Sequence, residues 1–174
     1  LLDDIRIEEY VEGTMINLFF DNEEWKISTK STVGGNNNFY ITGSKKQKSF
    51  RQMFDECIHD NNIDMSLLDK SYSYSLVMQH KDNRIINPVF NNRLVLVGVY
   101  NRLVPDYTEG SQNMVIGNTD LLNSQFDYPE VHDRNVYSSK QKLVDHFASP
   151  YTNYSIMGVN LFNVSNGERS KFRN

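Results

Sequence analysis

Val11-Glu12-Gly13-Thr14-Met15-Ile16-Asn17-Leu18-Phe19-Phe20-Asp21-Asn22-Glu23-Glu24-Trp25-Lys26-Ile27-Ser28-Thr29-Lys30-Ser31 reads as two β-strands joined by a tight turn. Met15, Ile16, Leu18, Phe19 and Phe20 fill the first arm, Asp21-Asn22-Glu23-Glu24 supplies a polar turn, and Trp25, Ile27 and Thr29 carry the second. Gly13 stands just before the first arm and Lys30 ends the second. A glycine where backbone approaches a ligand, followed by a hairpin ending in a cation, is one way to build a nucleotide pocket. Working outward from this hairpin gives the rest of the fold.

Upstream, Ile5 to Tyr10 alternates apolar and polar residues and predicts a short strand feeding the hairpin. Downstream, Gly34-Gly35-Asn36-Asn37-Asn38 is loop by composition. Ser49 with Gln52 three positions on forms a capping-box signal, and Phe50, Met53, Phe54, Cys57 and Ile58 share one helical face, so a helix is expected over 49–58. Asp64 caps a further turn over Met65 to Lys70. Strands are predicted at Tyr72 to Met78, Asn83 to Ile86 and Arg93 to Val99, the last apolar enough to be central. Residues 105–136 form a long polar connection with one short helix near Asn118 to Leu122. Ser138 with Gln141 opens a second helix to Ala148 that buries Leu143, Val144 and Phe147. A strand over Tyr154 to Phe162, an Asn166-Gly167 turn and a strand carrying Arg169, Lys171 and Arg173 close the chain. Strands outnumber helices and no βαβ rhythm appears, so the class is α+β with largely antiparallel sheets.

The chain of 174 residues is long enough to bury a sizeable core, and the expectation is a single domain over 1–174. It opens on Leu-Leu-Asp-Asp rather than Met, which suggests a piece of a longer chain. Net charge is -4 and the sequence pI about 5.5, so no global basic field recruits nucleic acid and any such binding must come from a local patch. With Cys57 as the one cysteine there is neither an internal disulfide nor a cysteine zinc site, which favours a reducing compartment. No apolar run approaches the roughly 20 residues of a membrane helix, and no membrane partner is expected.

His59, His80, His132 and His146 have no metal-ligand spacing, so no metal site is read from them. Neither a nucleophile elbow nor a phosphate loop of Walker or Rossmann spacing occurs. What remains is a set of cations at strand ends: Lys30, Arg84, Lys171 and Arg173. Alternation places Lys171 and Arg173 on one strand face, where two like charges gain most with an anion such as phosphate between them. A solvated strand edge, with cations that discourage aggregation, fits the same spacing.

Three stretches together resemble phage-type RNA ligases, a family of covalent nucleotidyltransferases. Gly13-Thr14-Met15-Ile16 with Trp25 to Ser31 resembles the hairpin after that family's nucleophile motif, Lys-x-Asp-Gly. Tyr74 to Ile86 followed by Leu94 to Val99 resembles its third motif, and Asn166 to Asn174 its closing strand with Lys-x-Lys or Lys-x-Arg. The Gln79-His80-x-x-Asn83-Arg84-Ile85 form resembles RNA-ligase-like proteins of large double-stranded DNA viruses. The resemblance implies antiparallel sheets flanking an ATP cleft. It also implies a lysine that attacks the α-phosphate of ATP, with Mg²⁺ present, and passes AMP to a 5′-phosphate RNA end.

At the matching positions the chemistry is altered. The nucleophile slot holds Tyr10. The third-motif carboxylate falls on Ser75 with a two-residue gap, or on Val77 without one. The fourth motif, normally Glu-Gly-hydrophobic, is Met157-Gly158-Val159. Lys30, Arg84, Lys171 and Arg173 stand where the family keeps phosphate-binding cations. The resemblance therefore implies a catalytically degenerate, ligase-like domain that binds nucleotide or RNA 5′-phosphate ends or serves in a viral assembly, in the host cytoplasm or the virion. Two alternatives stay open: an active ATP-dependent RNA ligase with a displaced nucleophile such as Lys26 and a displaced carboxylate among Glu8, Glu9 and Glu12, or a viral scaffold protein that binds no nucleotide.

Overall fold

The computed structural model describes residues 4–38, 47–101 and 125–174. These divide into two compact units, one holding the described residues up to Val11 and from Pro129 onward, the other those from Glu12 to Tyr128. Each is built on one four-stranded antiparallel sheet, and the class is α+β as the sequence implies. The short helix expected near Asn118 to Leu122 lies outside the described residues.

The Glu12–Tyr128 unit contains the hairpin. Strand β2 (Thr14–Asp21) pairs with β3 (Glu24–Ser28) through a two-residue turn in which Asn22 and Glu23 both have positive φ, 48° and 66°. That turn twists the same way as the strands it joins. β2 also pairs with β4 (Tyr72–Gln79), and β4 with β5 (Arg93–Asn101). Ile16, Leu18, Tyr74, Leu76, Met78, Leu94 and Leu96 alternate onto one face. A bulge opposite Ser75 and Leu76 then shifts the phase of β5, so that Val99 joins the same core. Helix α1 (Phe50–Asp60) covers this face with Phe50, Met53, Phe54 and Cys57, each large apolar side chain contributing about 1.5–3 kcal/mol. Its start is the predicted capping box: Ser49 Oγ accepts from the Gln52 N–H while the Gln52 side chain accepts from the Ser49 N–H.

The expected strand at Asn83 to Ile86 is instead a non-strand connection. Asn83 is buried and donates from Nδ2 to Thr14 Oγ1 at 2.8 Å, and the Glu12 carboxylate accepts the N–H groups of Ile86 (2.6 Å) and Asn87 (3.0 Å). Side chains therefore satisfy backbone donors that a strand partner would otherwise take, and Ile85 and Ile86 stay exposed.

The other unit contains β1 (Ile5–Glu9), a two-residue β6 (Val131–His132), α2 (Lys140–Phe147), β7 (Gly158–Asn163) and β8 (Arg169–Arg173), in the sheet order β6-β1-β7-β8. β1 thus leads into the hairpin along the chain but belongs to a different sheet. Ile7, Val159 and, partly, Leu161 and Phe172 face Leu143 and Phe147 of α2. The helix begins one residue later than expected, because Ser139 rather than Ser138 accepts from a backbone donor, the Lys142 N–H. Val144 is only half-buried.

β7 begins at Gly158, four residues later than the strand expected from Tyr154. Asn153 turns the chain there by accepting from Ser155, and Gly158 has φ of 120°. A Cβ at Gly158 would lie 2.1 Å from the Phe172 carbonyl oxygen and 2.8 Å from Arg173 Cα. Only glycine permits β8 to come this close. Among the described residues no helix is long and apolar enough to cross a membrane.

Gly158→Ala is expected to cost about 3 kcal/mol or more, through a backbone clash at a φ that suits glycine. Ser49→Ala, which removes one cap, should cost about 1 kcal/mol. Urea unfolding midpoints of the two variants measure the difference; equal midpoints would refute the close approach.

Candidate phosphate-binding site

Tyr10 follows β1 directly, and its N–H donates to the Gly158 carbonyl at 3.2 Å. That bond extends the β1–β7 ladder, and Gly158 is paired in turn with Arg173. Phe172 packs on the α2 side of the sheet, so its neighbours Lys171 and Arg173 project from the opposite face. There Lys171 Nζ stands 5.7 Å and the Arg173 guanidinium carbon 5.3 Å from the centre of the Tyr10 ring. Both are within cation–π range, worth about 0.5–1 kcal/mol each where exposed. The two cations still repel one another, and an anion beside the phenol would relieve that repulsion.

Two of the four cations singled out in the sequence are thus brought to Tyr10. The other two lie in the Glu12–Tyr128 unit. Lys30 is exposed beyond β3, and exposed Arg84 donates from Nε to the Ile86 carbonyl at 2.8 Å.

The groups that could supply transfer chemistry are otherwise engaged. Ser75 donates to Asn17 Oδ1 at 2.8 Å, and Val77 is buried against Gly13, whose missing Cβ would lie 2.6 Å from Val77 Cγ1. Neither offers a carboxylate. Glu8 pairs with Arg6 at 2.6 Å, Glu9 accepts from the Glu130 N–H, and Glu12 holds the 86–87 backbone. Lys26 donates to Asp21 at 2.8 Å, and that bond, with Glu24 nearby, holds its pKa above the usual lysine value. An amine nucleophile needs the reverse shift. Burial pushes the Cys57 thiol up to about 12, so it has no thiolate character at neutral pH.

The resemblance implies Mg²⁺, and the residues at the matching positions do not fit it: Ser75 or Val77 and Met157 replace hard carboxylate ligands. A different cluster, Glu56, His80 and Asp82, has ligand atoms within 4.8 Å of one another. Its centre is taken by an ammonium, since Lys48 Nζ lies 2.7 Å from Glu56 Oε2 and 2.8 Å from Asp82 Oδ2. Buried His80 completes the network. Its Nδ1 accepts the Asp82 N–H at 3.1 Å, which places the ring proton on Nε2, 2.9 Å from Glu56. The network ties α1 to the connection carrying Arg84. The sequence carried no signal for it, because the 80–82 turn lies 24 residues or more beyond Glu56 and meets it only in the fold.

Hydrogen bonds from Lys48 lower the pKa of both Glu56 and Asp82. In the unfolded chain these carboxyls take up protons more readily, so their contribution to stability is complete above about 4.5, the ordinary glutamate value, and is lost as pH falls through the lower folded values. Urea midpoints measured from neutral pH down to about pH 3 should therefore fall less steeply for a Glu56→Gln, Asp82→Asn variant than for the parent.

No protein-family model matches the chain. A curated RNA ligase of Rhodothermus phage RM378 is 29% identical to it over 100 residues, which is 55% of this chain and 23% of the relative. Among solved structures, an RNA ligase of Naegleria gruberi with PPi superposes with a TM-score of 0.59 over 98% of this chain and 49% of the other, at 7% identity. The chain therefore spans 23% and 49% of the lengths of the two relatives. Part of the chain is thus similar in sequence to one RNA ligase, and its fold is similar to that of another.

Proposed function

We propose that residues 1–174 form one ligase-like domain that binds a nucleotide or an RNA 5′-phosphate end without itself forming an enzyme–AMP adduct. The observation that carries this reading is the placement of Tyr10, in the slot of the attacking lysine, under Lys171 and Arg173. The phosphate-binding half of the site is kept. The nucleophile and the carboxylates at the third and fourth motifs are replaced by Tyr10, by Ser75 or Val77, and by Met157. A phenol cannot form the phosphoramidate that a lysine forms, and an ammonium held by Asp21 and Glu24 leaves Lys26 a poor substitute. On this reading the domain works where RNA ends occur, inside an infected cell or in a virion, as the phage relative suggests.

Incubation with labelled ATP and Mg²⁺ should give no label that survives denaturation. ATP and 5′-phosphorylated RNA should bind, and a Lys171→Ala, Arg173→Ala variant should lose at least about tenfold in affinity for both, the worth of charge-assisted hydrogen bonds. A denaturation-resistant AMP adduct would overturn the degenerate reading in favour of an active ligase. Lack of binding by the parent chain would leave a scaffold role.

A further inference from the structure

The register of the β1–β7–β8 sheet sets residues of one face in three cross-strand rows. Arg6, Phe162 and Arg169 form one row; Glu8, Asn160 and Lys171 the next; Gly158 and Arg173, extended by Tyr10, the third. The third row is the site already described. The first repeats its construction: the guanidinium carbons of Arg6 and Arg169 each lie 5.3 Å from the centre of the Phe162 ring, as that of Arg173 does from Tyr10. Phe162 is 6% exposed, so it is a fixed platform rather than a mobile ring.

We propose that Arg6 and Arg169, with Lys171 between the rows, form a second phosphate-binding site that takes the next phosphates of a chain whose first phosphate sits at Tyr10. The proposal rests on the preceding reading of the Tyr10 row and extends it from a single phosphate to a phosphate chain.

Three physical features support it. Residues two apart on a strand are about 6.8 Å apart, so Arg169, Lys171 and Arg173 anchor a rail of cations along about 14 Å of β8, with the Lys171 and Arg173 heads at Tyr10 and the Arg169 head at Phe162. A single phosphate cannot span such a rail, whereas consecutive phosphates of an extended chain can. A guanidinium stacked on a ring has lost part of its rotamer freedom before binding, which lowers the entropic cost of gripping phosphate, and Arg169, the exposed member of the pair, is the one that offers it. With net charge -4 over the whole chain, cations on one sheet face are a local feature of the kind that anion binding needs. Glu8, paired to Arg6 at 2.6 Å, is the carboxylate within the grid and opposes an anion there. It makes the site weak and gives it a diagnostic of opposite sign.

The chain's phosphates have two chemical sources, a phosphodiester strand or the polyphosphate of a free nucleotide, and separate arms distinguish them. Titration calorimetry of the full chain with AMP, inorganic tripolyphosphate and a 5′-phosphorylated oligoadenylate is compared across the parent, Arg169→Gln and Glu8→Gln. Arg169 is exposed, so its variant is not expected to unfold; thermal melts check this.

The expected result is unchanged AMP affinity in both variants, with oligoadenylate binding weakened about tenfold by Arg169→Gln and tightened by Glu8→Gln. The slope of log K against log salt for oligoadenylate should fall by about 0.7 in Arg169→Gln, one phosphate contact on a single strand. Equal sensitivity of tripolyphosphate supports the site with free polyphosphate as a source, and sensitivity of oligoadenylate alone supports it with a phosphodiester source. If both variants bind oligoadenylate and tripolyphosphate as the parent does while AMP still binds, the second site is overturned and the Tyr10 reading stands. If the parent binds none of the three ligands, both readings fail.

Discussion

The close approach of β8 to β7 at Gly158 is the constraint on which the candidate site depends. Strands carrying a side chain at this position cannot place the Phe172 carbonyl where it stands. With glycine here, Arg173 is paired with Gly158, the Gly158 carbonyl accepts the Tyr10 N–H, and the phenol comes to rest beside two cations. The absence of one Cβ therefore lets the β7–β8 hairpin close and brings Arg173 beside Tyr10, from the other end of the chain. The apolar face of the same sheet, packed on α2 through Phe172 and Leu161, fixes which way the alternating cations point.

A similar economy holds in the other unit, where polar side chains do the work of a strand. Glu12 and Asn83 satisfy or anchor the connection that bears Arg84, and Lys48, Glu56, His80 and Asp82 tie that connection to α1. The Glu12 carboxylate holds backbone N–H groups, and Glu56 and Asp82 share the ammonium of Lys48. Two cations stand beside Tyr10, while Lys26, Glu8, Glu9 and Glu12 are committed to ion pairs and backbone hydrogen bonds.

Much of the fold was legible in the sequence for local reasons. The hairpin over Val11 to Ser31, the Ser49 capping box, the turn at Gly167 and the closing strand all rest on turn chemistry, caps and period-two or helical spacing. Where expectation and structure part, a non-local contact decided. The extended look of Asn83 to Ile86 yields to a carboxylate more than seventy residues upstream, at Glu12. Tyr154 to Met157 yields to the turn set by Asn153 and to the tight β7–β8 contact. Arg6 and Arg169 carried no signal of their own, because a pair of arginines on different strands becomes a pair only through register.

By itself the sequence determined the alternation that puts Lys171 and Arg173 on one face, and the identities of Tyr10, Ser75, Val77 and Met157 at positions where the resemblance implies a lysine and carboxylates. These are properties of residue identity and of the two-residue repeat of a strand. Only the tertiary structure decided that the two cations meet Tyr10, that Lys48 fills the Glu56–Asp82 cluster, and that a row with Arg6, Phe162 and Arg169 repeats the Tyr10 row along the same face. The reason is register: which residues of separate strands stand opposite one another is set by packing across the sheet and by a glycine that lets two backbones touch, and neither is written in any one segment.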